Sequence, residues 1–216
     1  MDPFRMCLAL GPAAVYVLLL GAINLSRRPL LVNGTRDAAT LGLAVAGMVI
    51  VGPMELFFPD AAAVRFGPYV WLLLLAFYAM CLVLVLLLLK PRLIIYNMAA
   101  DQLRPVLANL AGELDGEARW AGDSLSLPGL GVQLHIDNLS AMRNVSLVSV
   151  GSNQSHAGWR RLEMALETAL AREEVPRNPR GISLISAGVL IVITLILAIA
   201  RAPQAVAESL FDMLRL

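Results

Sequence analysis

Apolar and polar positions along this chain follow two different periods. Long, almost unbroken apolar runs cover residues 6–25, 38–58, 69–89 and 182–200, and the third carries no charged side chain. A bilayer core of about 30 Å needs roughly 20 helical residues, so each run predicts a transmembrane helix, the fourth reaching to residue 202. Between the third and fourth runs, residues 90–181 switch to short amphipathic periods. That predicts a polytopic α-helical membrane protein with a small soluble α+β domain inserted between helices 3 and 4.

Within the insert, Leu93-Ile94-Ile95-Tyr96 reads as a buried strand. Asp101 then caps a helix whose apolar stripe is Leu103, Val106, Leu107, Leu110 and Leu114, with Pro105 near its first turn. Residues 120–127 and 132–137 alternate as strands around the turn signal Pro128-Gly129, and residues 144–150 give another strand. Trp159, Leu162, Ala165, Leu166, Ala169 and Leu170 line a second helix. The expected order is βαβββα, with helices on one face of a mostly antiparallel sheet. The tail, 203–216, opens on Pro203 and places Val206, Leu210, Met213 and Leu214 opposite Glu208, Asp212 and Arg215. It predicts a short helix along the membrane interface.

Composition sharpens the membrane expectation: 58% of residues are hydrophobic and 15% charged, against about a quarter charged in soluble domains. The net charge of +1 gives no electrostatic footprint for nucleic acid. The basic residues are asymmetric, however. Arg27, Arg28 and Arg36 occupy the first loop, and Lys90, Arg92, Arg172, Arg177 and Arg180 flank the insert. The other side carries Arg5, Arg65, Arg201 and Arg215. The positive-inside rule then places the insert in the cytoplasm and both termini outside an inner, or cell, membrane. Arg5 before the first run resembles a signal-peptide start, but Asp2, the length of the run and the lack of an A-x-A site favour a retained span. Cys7 and Cys81 both fall in spans, which leaves no disulfide framework.

The second span differs from a simple anchor. Ala39, Gly42 and Ala46 form a small-residue face suited to close helix approach, and so to a protein partner or self-association. Gly52-Pro53 interrupts the span, and Glu55 is the one acid inside an apolar run. An intramembrane carboxylate is a candidate functional residue, here for a small transporter or transporter subunit. The competing expectation is a helix-end carboxylate reaching the headgroups near Phe57, Phe58, Pro59 and Asp60. The third span, with Tyr69 and Trp71 as interfacial anchors, reads as lipid-facing.

Other chemistry is thin. Gly122-Asp123-Ser124-Leu125 resembles the nucleophile block of GDSL-type hydrolases, which implies a serine nucleophile with a downstream Asp-x-x-His. Neither His135 nor His156 has an aspartate three residues earlier, and residues 117–121 are not a buried strand. A β-turn is expected instead. His135 and His156, with Asp137 and Asn153, do not have the spacing of a metal site. Pro128-Gly129-Leu130-Gly131 is too short for a phosphate loop. Asn-x-Ser/Thr triplets begin at Asn24, Asn33, Asn138, Asn144 and Asn153 and are read as chance. The expected protein is non-enzymatic, without cofactor or metal, and presents its cytoplasmic module for regulation, docking or assembly.

Overall fold

The structure is a computed structural model that describes residues 2–139, 142–152 and 154–214. In chain order its elements are α1 (Pro3–Leu25), β1 (Leu30–Asn33), α2 (Gly34–Val49) running into a π turn (Ile50–Met54), α3 (Asp60–Phe66) and α4 (Tyr69–Leu88). There follow β2 (Arg92–Tyr96), α5 (Ala100–Leu114), β3 (Arg119–Ala121), β4 (Ser124–Leu127), a 3-10 turn (Pro128–Leu130), β5 (Val132–Leu139) and β6 (Asn144–Ser149). The chain closes with α6 (His156–Leu170), α7 (Arg180–Arg201) and α8 (Pro203–Leu214). Most of the chain is helical, and four helices among the described residues are long and apolar enough to cross a membrane: Pro3–Leu25, Gly34–Met54, Tyr69–Leu88 and Arg180–Arg201.

The elements fall into two compact units. The first holds residues up to Leu20, Ala38–Leu88 and the chain from Ser183. Its helices approach through small residues, because a side chain at those points would meet a neighbouring helix. A Cβ on Gly47 of α2 would lie 1.8 Å from the Leu8 carbonyl oxygen of α1. One on Gly188 of α7 would come within 2.7 Å of Leu18, next to the fully packed Ala14. Gly42 of the predicted small face is buried against Leu82, and its carbonyl accepts a 2.6 Å hydrogen bond from the Tyr78 hydroxyl of α4. That face therefore packs within the chain at Gly42. Small residues at the contact points let the helix backbones approach this closely.

Trp71 departs from its expected role. It is 8% exposed and packs with Met54, Phe58 and Tyr78, whereas Tyr69 beside it is 68% exposed. The Phe58 and Trp71 rings stand 5.1 Å apart at 38°, a tilted aromatic pair. α4 thus has an inner face as well as the exposed leucines that its composition predicts.

The second unit holds Gly21–Asp37 and Leu89–Ile182. Its sheet is antiparallel throughout, in the order β1-β2-β6-β5-β4-β3. Alternate strand residues point inward, as the two-residue strand period requires. Leu93 and Ile95, Leu125 and Leu127, Leu134 and Ile136, and Val145 and Leu147 meet Leu103, Leu107 and Leu110 of α5 and Trp159, Leu162 and Leu166 of α6 in one core.

The expected βαβββα order needs two corrections. Residues 30–33 of the first loop form β1, which pairs with β2 from Leu30↔Tyr96 to Asn33↔Leu93. The single strand expected at 120–127 is the β3–β4 hairpin, turning on Gly122-Asp123. Gly122 has φ +63, the conformation that a two-residue primed turn asks of glycine. The observed order is ββαββββα. Asp101 also moves: the cap of α5 is Ala99, whose N–H donates to Gln102 Oε1 at 3.3 Å, and Asp101 lies in the first turn.

Candidate functional site

The site is built from the start of α1 and the end of the second apolar helix. Asp2 and Pro3 open α1 in the way sequence preference dictates. Pro3 takes the first helical position, where its missing N–H costs nothing, and Asp2 Oδ1 accepts the Phe4 N–H at 3.0 Å. Arg5 follows in the first turn.

On the other side Pro53 has no N–H to donate and its ring needs room at the preceding turn. The helix is not broken there, contrary to the expectation from Gly52-Pro53. It widens into the π turn, in which the Glu55 N–H reaches back to Ile50 O, and resumes through Glu55 and Leu56. The extra residue in the turn changes the helix phase and turns Glu55 to α1. Single π turns of this kind recur at functional positions.

Glu55 Oε1 lies 2.5 Å from Arg5 Nη2, and Asp2 Oδ2 is 3.5 Å from Arg5 Nε. Two carboxylates thus face one guanidinium. The Arg5 side chain is 36% and the Glu55 side chain 25% exposed, so the cluster is half-buried. Beside it runs a groove of about 810 Å³ lined by Met6, Ala9 and Leu10 of α1 and by Val51, Gly52 and Leu56. Met54, Trp71, Phe4 and Leu8 form the apolar packing of this end. Chemically, the arrangement is a charge-assisted ion pair at the edge of an apolar groove. It fixes the end of the second helix against the start of the first.

The remaining predicted residues are dispersed. Gly122 and Asp123 are the expected turn, and Asp123 Oδ1 pairs with Arg104 Nη1 of α5 at 3.1 Å. Arg104 also lies 5.7 Å over the Trp120 ring, so it staples the hairpin to α5. Ser124 and His135 are opposite each other in the β4–β5 register and share a 3.1 Å Oγ–Nδ1 hydrogen bond. Strand pairing brings them together, which the local string does not encode. Both are surface-accessible cross-strand neighbours, and no carboxylate hydrogen bond to His135 is found among the described residues. His156 begins α6, and Asn153 lies outside the described residues, as does Arg215 of the tail. No group of three or more His, Cys, Asp or Glu side chains converges among the described residues.

Several polar positions that sequence reasoning passed over hold the second unit together. Asn24, noticed only as a triplet, is 1% exposed and its Oδ1 accepts the Asn178 Nδ2 at 2.9 Å, while the Asn178 N–H donates to Asn24 O at 2.9 Å. Asn178 Oδ1 accepts the Arg180 N–H at 3.2 Å, opening α7. Asn-Pro ahead of an apolar run was the available signal, an N-cap followed by proline at the first helical position. Asp37, in the first turn of α2, accepts the Tyr96 hydroxyl and lies 3.9 Å from Arg92 Nη2. Its negative charge also suits a helix N-terminus. Comparison with known proteins gave no match: no family model fits the chain, and no curated protein or solved structure is significantly similar to it.

Proposed function

We propose that this chain is an integral protein of the inner membrane, without catalytic activity, that presents its α+β module on the cytoplasmic face for regulation, docking or assembly. The observation that carries the reading is the connectivity of the module. The sheet takes a strand from the first loop as well as from the insert, so the chain passes between apolar helices and module at four points. These are residues 26–29 before β1, the direct step from Asn33 to Gly34, residues 89–91 before β2, and residues 171–179 before α7. A module joined so often and so briefly has no reach toward a distant substrate. It is suited to receiving or bracing a partner at the membrane surface. The arginine distribution supports the cytoplasmic side, since the basic loops are those that enter the module.

The second reading, a small transporter or transporter subunit, draws on Glu55 and the groove beside it. Glu55→Gln separates the two. On the docking reading, glutamine keeps the shape but loses the charge of the Arg5 pair. The protein still inserts and copurifies in gentle detergent with the same partners as the wild type, at a stability cost of about 1–3 kcal/mol. On the transporter reading, a residue that must gain and lose charge is gone. Normal insertion and folding with complete loss of a proton-linked flux in vesicles would establish the transporter instead.

A further inference from the structure

We propose that the hollow between the last turns of α1, strand β1 and the end of α6 binds an anionic phospholipid, with its phosphate on Arg28 and an acyl chain along the apolar wall. This inference rests on the membrane reading above. The hollow encloses about 500 Å³, within the ~300–1,000 Å³ of small-molecule sites. Its walls are Ala22 and Ile23 of α1, Leu30 and Leu31 of β1, and Leu170 and Ala171 of the α6 end. A lining of this kind matches a hydrocarbon chain and offers little to a sugar or nucleotide.

The polar groups of the hollow sit together and differ in availability. Ser26 Oγ already accepts the Arg28 N–H at 3.1 Å. The Arg28 side chain is exposed at the lining, whereas Arg27 before it lines a separate hollow with Glu174, Val175 and Arg177, its carbonyl accepting the Val175 N–H at 2.8 Å. Neither guanidinium has an ion pair among the described residues. A guanidinium beside an apolar wall is complementary to a phosphate diester carrying an acyl chain, because arginine presents paired donors to phosphate oxygens. Glu167 on the opposite wall disfavours a second negative charge, which selects a monoanionic headgroup. α1 supplies the depth: it is one of the membrane-length helices, and its last turn ends at Leu25, next to these arginines. On the membrane reading the arginines stand at headgroup level on the cytoplasmic side, where basic pockets recognise anionic lipids.

The test is native mass spectrometry of the full-length protein released from detergent, loaded with phosphatidylglycerol or phosphatidylcholine of identical acyl chains. Wild type is expected to retain phosphatidylglycerol preferentially. Arg28→Gln lowers that retention about fivefold, whereas Arg27→Gln, outside the hollow, leaves the preference in place. Ala22→Trp, which fills the hollow and leaves both arginines, is expected to abolish the preference. Ala171→Trp does the same from the opposite wall, should the first variant fail to fold. Equal retention of the two lipids by wild type would overturn the proposal. So would equal losses from Arg28→Gln and Arg27→Gln with none on filling the hollow, which would mean surface charge alone. A peptide or a second copy of the chain cross-linked into the hollow would overturn it too. Alkaline carbonate extraction of the wild type separates the two levels: a chain stripped from membranes refutes the membrane reading, whereas an embedded chain without lipid preference refutes only this site.

Discussion

Trp159→Ala is expected to lower the stability of the α+β module by about 3–5 kcal/mol, a large share of the 5–15 kcal/mol that holds an ordinary domain folded. The side chain is 6% exposed in the single core of this unit, so truncation leaves a cavity among Leu162, Leu166 and the strand residues. It also removes a polar anchor. Trp159 Nε1 donates to Gln154 Oε1 at 2.8 Å, and Gln154 Nε2 reaches Gln133 O at 3.1 Å, so the tryptophan orders the link between α6 and β5. Trp159→Phe keeps most of the apolar volume and loses that hydrogen bond, at a smaller cost of about 1 kcal/mol. Denaturant titration of the full-length protein, followed by circular dichroism, should rank wild type above Trp159→Phe and both well above Trp159→Ala. An unchanged midpoint for Trp159→Ala would remove this residue from the core.

The second large effect is expected at Gly47. A methyl group there would overlap the Leu8 carbonyl, and a backbone atom cannot swing aside as a side chain can. Gly47→Ala should cost about 1–3 kcal/mol and Gly47→Leu about 3 kcal/mol or more, enough to part α1 from α2. Gly52 provides the contrast. It lies five residues along the same helix with nothing within 4 Å of its would-be Cβ, so Gly52→Ala should be tolerated. Thermal melting in detergent, with size exclusion for aggregated material, reads both. Equal melting temperatures for Gly47→Leu and wild type would contradict the observed packing of α1 on α2.

These two residues differ in how readily the sequence discloses them. Trp159 heads a helical stripe whose spacing already assigns it to a core. Gly47 gives no such sign, because the choice between Ala39, Gly42, Ala46 and Gly47 as the contact face depends on where α1 and α4 lie. The four apolar helices were legible for a simple reason: runs of about 20 apolar residues have few alternatives. β1 was hidden because Leu30–Asn33 is four residues long and leads directly into a helix, so neither its length nor a turn signal sets it apart from a loop. The β3–β4 hairpin was half legible: Gly122-Asp123 reads as a turn by itself, but the alternation on either side of it also reads as one continuous strand.

Trp71 illustrates a different kind of ambiguity. An aromatic residue at the end of an apolar run serves an interfacial anchor and a packed aromatic cluster equally well, and only the neighbouring Phe58 and Met54 decide for packing. The Glu55 site was legible as half of a pair. The carboxylate stood out by its apolar surroundings, and Arg5 was assigned to the same side of the membrane. Their contact depends on the π turn that Pro53 imposes and on the capped start of α1, both of which are products of helix geometry. The buried Asn24–Asn178 pair was the least legible of all, since it joins residues separated by most of the chain.

The central claim, an embedded chain with its module in the cytoplasm, is tested most directly by the accessibility of single cysteines in otherwise intact protein. With Cys7 and Cys81 replaced by serine, a membrane-impermeant maleimide would be applied to whole cells expressing either Met164→Cys, on the exposed side of α6, or Ala61→Cys, in the exposed start of α3. The account predicts labelling of position 61 in intact cells, and labelling of position 164 only after the membrane is permeabilised. Labelling of position 164 in intact cells, with position 61 protected, would place the module outside and contradict it.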